Sequence, residues 1–120
     1  MAAAPEGAVL KAQLRLWLRE EIAMGPGKAD LLDAIAEAGS IAAAGRRLNM
    51  SYRRAWLLVD TMNRCFRQPL VASATGGQGG GGAQLTDTGR QVLASYRAMQ
   101  AEADQLSERW FLRLSQHLRD

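Results

Sequence analysis

The sequence predicts a mainly α-helical fold with one small β-hairpin, and three observations carry that prediction. Between Gly39 and Gly89 it reads GSIAAAGRRLNMSYRRAWLLVDTMNRCFRQPLVASATGGQGGGGAQLTDTG: a short helix, a tight turn, an arginine-fronted helix, a glycine-tipped hairpin and a helix start. Ahead of it, Leu10, Ala12, Leu14, Leu16 and Leu18 alternate with Lys11, Gln13, Arg15, Trp17 and Arg19, the period of a half-buried strand. Behind it, Val92, Tyr96, Met99, Ala103, Leu106 and Trp110 recur at spacings of 4, 3, 4, 3 and 4, a heptad-like seam. Together these parts spell a winged helix-turn-helix with an N-terminal strand and a long C-terminal dimerisation helix. The 120 residues fit a single domain.

Taken in order, the alternation places a strand over residues 9–19, its leucines inward and Trp17 on the outer face. Gly25-Pro26 suits the entry of a helix and Gly39 its exit, with Leu31, Leu32, Ile35 and Ala38 on the apolar face. The helix-turn-helix occupies 41–66. Ser40 caps its first helix, Asn49 takes the left-handed turn, and Ser51 caps the second helix. In that second helix Ala55, Val59, Met62 and Phe66 form a core stripe flanked by Trp56, Leu58 and Cys65. Gly45 marks the close approach of the two helices. Pro69 ends the second helix, the wing spans 69–86, and Thr86 caps a helix over 87–116 that carries the seam.

Charge points to the same region. The net charge is only +3, yet residues 46–67 hold six arginines against Asp60, a local excess of +5. Such a patch suits a phosphate backbone; a solvated helix face is the alternative. The second helix of such a motif enters the major groove with its first turns on the base edges. Ser51, Tyr52, Arg53, Arg54 and, a turn later, Leu57 are therefore the candidate readers, because arginine bonds guanine bidentately and an apolar side chain suits a thymine methyl. Ser40, Arg46 and Arg47 join them as candidate DNA contacts, the two arginines on phosphate. At the wing, Thr75, Gly76, Gly77, Gln78, Gly79 and Gly80 let backbone N–H groups approach phosphate unobstructed. A flexible linker is the alternative reading of that run. Trp56 reads as core before DNA contact, since it borders the buried stripe.

Other chemistry finds little support. No GxxxxGK[ST] loop follows from the glycines, which lack the lysine and hydroxyl, and a first strand-to-helix dinucleotide turn is not where they lie. His117 stands alone, so no metal or catalytic set forms around it, and no cofactor is expected. Cys65, the one cysteine, allows no intrachain disulfide and reads as a packed thiol or one activated by Arg64 and Arg67. Without a signal peptide or an apolar run of membrane length, a cytoplasmic, non-enzymatic protein is expected.

The residues GSIAAAGRRLNMSYRRAW, the Met62-Asn63 pair, PLV and above all ATGGQGGGGAQLT followed by Gly89 resemble the N-terminal domain of ModE-type molybdate-responsive transcription regulators. The LTxxG ending and the S-x-x-x-A-x-x-x-L-x-x-S spacing are also similar to LysR-type helix-turn-helix domains. The resemblance implies a homodimer on a palindromic double-stranded operator, with Ser51 to Arg54 opening the recognition helix and Thr75 to Gly82 forming the wing. Where the family commonly has an acidic–arginine pair after PLV, this chain has Ala72-Ser73. The sequence ends at Asp120, without the C-terminal molybdate-binding modules of full-length members, so no residue here supports molybdate sensing. The expected function is a sequence-specific, dimeric DNA-binding transcriptional regulator. The alternative is an interaction protein that pairs through its long helix with an effector-sensing partner.

Overall fold

The computed structural model describes residues 4–74 and 81–120. The expected wing-tip contacts Thr75, Gly76, Gly77, Gln78, Gly79 and Gly80 lie outside the described residues. A short hairpin, β1 (Leu16–Leu18) and β2 (Glu21–Met24), leads into three helices, α1 (Pro26–Ala38), α2 (Ile41–Arg47) and α3 (Tyr52–Cys65). A second hairpin, β3 (Val71–Ala74) with β4 (Gly82–Leu85), then feeds the long α4 (Asp87–Ser115). Both hairpins are antiparallel.

Local chemistry sets the helix boundaries. Pro26 opens α1, and Gly39 closes it at φ 78°, a left-handed exit that needs no Cβ. Oγ of Ser40 accepts the Ala43 N–H at 3.0 Å, Oγ of Ser51 accepts the Arg54 N–H at 3.1 Å, and Oγ1 of Thr86 accepts the Gly89 N–H at 2.9 Å. Asn49, at φ 57°, turns the chain between α2 and α3. At the crossing of those helices a Cβ on Gly45 would lie 3.3 Å from both the Ala55 Cβ and the Met50 carbonyl. The core gathers Leu31, Leu32 and Ile35 of α1, Ala44 of α2, Ala55 and Met62 of α3, and Leu70, all fully buried.

The N-terminal strand is shorter than the alternation predicts. Of residues 9–19 only Leu16–Leu18 form a strand, and Leu10, Leu16 and Leu18 are exposed instead of inward. A strand exists only where a neighbour answers its backbone groups. The neighbour here is β2, whose residues 21–24 carry no readable alternation, and Gly25-Pro26 ends it after Met24. The chain ahead of β1 runs along α4, where Ala8, Val9 and Leu10 border a groove with Asp104, Ser107, Glu108 and Phe111.

α4 grows out of the domain body. At 29 residues it is roughly 43 Å long, and it gives the molecule its 58 Å long axis. Its base is fixed twice. The Tyr96 hydroxyl donates to the Leu14 carbonyl at 2.7 Å, and Arg97 reaches Asp30 at 2.9 Å and Asp33 at 2.5 Å on α1. The seam residues therefore divide: Tyr96 is buried in its own domain and Val92 half-buried, whereas Met99, Leu106 and Trp110 are exposed and Ala103 is half-buried.

The wing is tied to α3 and to α4 at one place. Oδ1 of Asn63 accepts the N–H groups of Leu70 and Val71 at 2.8 and 3.2 Å, and its amide donates to the Val71 carbonyl at 3.1 Å. The Leu70 carbonyl accepts the Thr86 N–H at 2.9 Å, and a Cβ on Gly89 would overlap that same oxygen. Three expected outcomes follow from these close contacts. Gly89→Ala should destabilise by roughly 3 kcal/mol, the upper range of overpacking, read as a lower denaturant midpoint. Gly45→Ala, with tight contacts but no overlap, should cost less than half of that. Asn63→Leu strands two N–H groups and should cost about 2 kcal/mol, with amide exchange of Leu70 and Val71 accelerated; unchanged exchange there would refute the anchoring role.

Candidate nucleic-acid interface

Burial splits α3 into two faces. Ala55, Val59 and Met62 are buried, whereas Tyr52, Arg53, Arg54, Trp56 and Leu57 are exposed. At 100° per residue, Arg53, Trp56, Leu57 and Asp60 share the side opposite the core, while Arg54 lies on its far flank. There burial pushes the Lys28 ammonium below its ordinary value, and the charge of Arg54 adds to that push. The hydroxyls of Ser40 and Ser51 serve as helix caps and keep their O–H hydrogens as donors. Arg46 and Arg47 form the exposed last turn of α2.

The six arginines of the basic patch are not equivalent. Arg64 is held between Glu21 of β2, at 3.1 Å, and Asp60 of its own helix, at 3.0 Å. That pairing holds the Glu21 carboxyl below the usual carboxylate range. Arg64 therefore links α3 to the first hairpin through surface pairs and is engaged in the free protein, unlike its neighbours. Arg47 meets Glu37 at 3.0 Å, with both side chains more than half exposed, a pair that parts at little cost. Among the described residues Arg46, Arg53, Arg54 and Arg67 have no carboxylate partner. Cys65 lies 3.5 Å from the same Glu21; burial, then Glu21, pushes its thiol up, so it is not an activated nucleophile. Among the described residues no group of three or more His, Cys, Asp or Glu side chains is placed to hold a metal.

Trp56 corrects the sequence reading. It is 46% exposed, because its position on α3 turns it away from the Ala55–Val59–Met62 stripe and toward the wing. With Tyr52 one turn earlier it walls an open cleft of about 460 Å³ between α3 and the β3–β4 hairpin, completed by Ile41, Ala42, Ser73 and Gly82. Among the described residues no acidic side chain lines this cleft. An indole presents an apolar face and one N–H donor, and no described protein group accepts from Trp56.

Asn63 was legible only as half of a motif match. Its role as the clamp that holds the wing root against α3, and so sets the width of the cleft, depends on residues seven and eight positions away. An asparagine on the cleft side of a helix that otherwise carries apolar and basic residues was the available signal.

Comparison with known proteins agrees with this geometry. The chain is 48% identical over 83 residues to the molybdenum transport protein ModE of Azotobacter vinelandii, across 66% of this chain and 31% of that protein. It is 45% identical over 78 residues to the molybdenum-pterin-binding protein MopB of Rhodobacter capsulatus. It is 39% identical over 83 residues to the DNA-binding transcriptional dual regulator ModE of Escherichia coli K12, across 69% of this chain and 32% of that protein. The chain thus spans about a third of the length of these relatives. The fold is similar to that of the CbnR DBD–DNA complex, with a TM-score of 0.56 at 24% identity over 69% of this chain and 90% of that one. No helix among the described residues is long and apolar enough to cross a membrane. The model of the bacterial regulatory helix-turn-helix proteins of the lysR family matches residues 28–90, from α1 through the wing to the first turn of α4, and the chain belongs to that family.

Proposed function

We propose that this chain is a sequence-specific, DNA-binding transcriptional regulator of the cytoplasm, acting as a homodimer on a palindromic operator. The observation that carries the proposal is the exposed face of α3, where Arg53, Trp56 and Leu57 stand with no partner in the described protein. α3 enters the major groove. Arg53 reads a guanine through O6 and N7, and Leu57 packs on a thymine methyl. Arg46, Arg47, Arg54 and Arg67 neutralise phosphates and release counterions, which makes affinity steeply salt-dependent. Tyr52 and Trp56 receive the sugar-phosphate strand in the cleft, where the indole N–H and the phenol donate to phosphate without competition from an acidic side chain. The wing residues Thr75, Gly76, Gly77, Gln78, Gly79 and Gly80 offer backbone N–H groups to phosphate, and Ser40 adds a hydroxyl donor. No step in this reading is catalytic.

The relatives are named for molybdenum transport and molybdenum-pterin binding, so operators ahead of molybdenum-handling genes are the first to try. Selection from random duplexes at fixed salt tests the reading, and a palindromic motif is the expected result. Arg53→Ala should relax preference at one base pair per half-site, whereas Arg46→Ala should weaken all sequences alike and flatten the salt dependence. A uniform loss from Arg53→Ala would show that α3 is placed wrongly in the groove. Trp56→Ala should lower affinity on the order of tenfold, the scale of one hydrogen bond to a charged group, while leaving the thermal midpoint unchanged. A drop in stability with no change in affinity would return Trp56 to the core.

A further inference from the structure

One side chain on the exposed face of α3 stands apart from the rest: Asp60 is the single carboxylate between Arg46 and Arg67. With Arg53, Leu57 and Arg64 it falls in a stripe about 60° wide at 100° per residue, opposite the buried Ala55, Val59 and Met62. Phosphate repels such a group. A carboxylate in the middle of a surface that meets a polyanion weakens binding unless it finds a donor there. Its side chain is 39% exposed, so it can reach one. Nε of Arg64 donates to its Oδ2 at 3.0 Å, and among the described residues no group donates to Oδ1.

In homeodomains the helix in the major groove reads bases with side chains at i, i+3, i+4 and i+7. Counted from Arg53, those positions in α3 are Arg53, Trp56, Leu57 and Asp60. The helical rise puts Asp60 about 10 Å beyond Arg53, roughly three base-pair steps. The base edges in the major groove donate hydrogen bonds only through the amino groups of cytosine and adenine. Guanine and thymine turn carbonyl oxygens to the same place, and adenine sets its N7 acceptor beside its amino group. Cytosine offers N4–H with no acceptor next to it, which suits a carboxylate.

We infer that Asp60 is a specificity-determining residue that accepts a hydrogen bond from the N4 amino group of one cytosine in each half-site, roughly three base pairs from the guanine bonded by Arg53. The inference rests on the placement of α3 in the groove proposed above and names a further base that it reads. Arg64 completes the device. By engaging one oxygen it offsets part of the repulsion between the carboxylate and the phosphates, while Oδ1 keeps its lone pairs for the base. The residue acts largely by exclusion: against guanine or thymine two acceptors face each other in the groove, so wrong duplexes lose more than the right one gains.

The test uses the full chain in selections from random duplexes at fixed salt, run in parallel on the parent, Asp60→Ala and Asp60→Asn. The parent motif should hold a cytosine at that distance from the guanine whose preference Arg53→Ala relaxes. Asp60→Ala should erase preference at the cytosine alone. Its affinity for the parent motif should fall on the order of tenfold, while duplexes with another base there bind as well or better. Asp60→Asn, whose amide suits adenine N6 and N7, should move the preference to adenine. The atom is identified with a duplex in which that cytosine is replaced by a pyrimidin-2-one nucleotide, which lacks the 4-amino group. The parent should bind this duplex about tenfold more weakly than the cytosine one, whereas Asp60→Ala should bind the two equally. If Asp60→Ala tightens binding to every duplex alike and leaves the motif unchanged, the carboxylate serves Arg64 alone. That result overturns this inference and leaves the sequence-specific reading intact. A parent chain that selects no motif overturns that reading and this inference together.

Discussion

The backbone of Leu70 is where α3, the wing and the long helix are fastened together. Its N–H is held by Asn63 of α3, and its carbonyl receives the Thr86 N–H at the entry to α4. Gly89 packs so closely on that carbonyl that no side chain fits between them, and the Leu70 side chain is fully buried. A buried residue whose backbone N–H and C=O are satisfied by different elements resists any independent shift of those elements. The angle between α3 and the wing, and the direction in which α4 leaves the domain, are set by the same few atoms.

Electrostatics is divided in a similar way. Arg64 and Arg97 meet carboxylates of the protein itself, Arg64 linking α3 to the first hairpin at the surface and Arg97 linking α4 to α1. Arg46, Arg53, Arg54 and Arg67 have no carboxylate partner among the described residues. This division matters because an arginine already engaged by carboxylates contributes little counterion release, whereas an open one contributes fully. A count of positive residues along the sequence overstates the usable charge of the patch.

Much of this architecture is legible in the sequence because its signals are local. Ser40, Ser51 and Thr86 each cap the helix that follows, Asn49 turns left-handed, and Gly39 ends α1, all decided within a few residues of chain. What escaped reading is non-local. The length of β1 depends on the end of β2, whose pairing no alternation announces. The partner of Arg64 sits 43 positions earlier, and that of Tyr96 is 82 positions away. Trp56 misled because apolarity suggests a core, while its angle on the helix, relative to Ala55 and Val59, points it outward. For the candidate site, the arginines and the caps were visible in advance; the cleft, its aromatic wall and the Asn63 clamp required the wing to be set in place.

The unbroken run of α4 from Asp87 to Ser115 has an evolutionary consequence. A helix advances about 100° per residue, and its base is clamped at Leu70, so the far end has a fixed azimuth relative to the recognition surface. Inserting or deleting one residue beyond Arg97 would rotate everything distal by more than a quarter-turn without disturbing the domain. Length changes in this segment are tolerable only in near-whole turns, with seven residues the smallest step that restores both the facing and the spacing. Lineages descended from this chain should therefore vary freely in sequence along the outer face of the rod while its length moves in heptads.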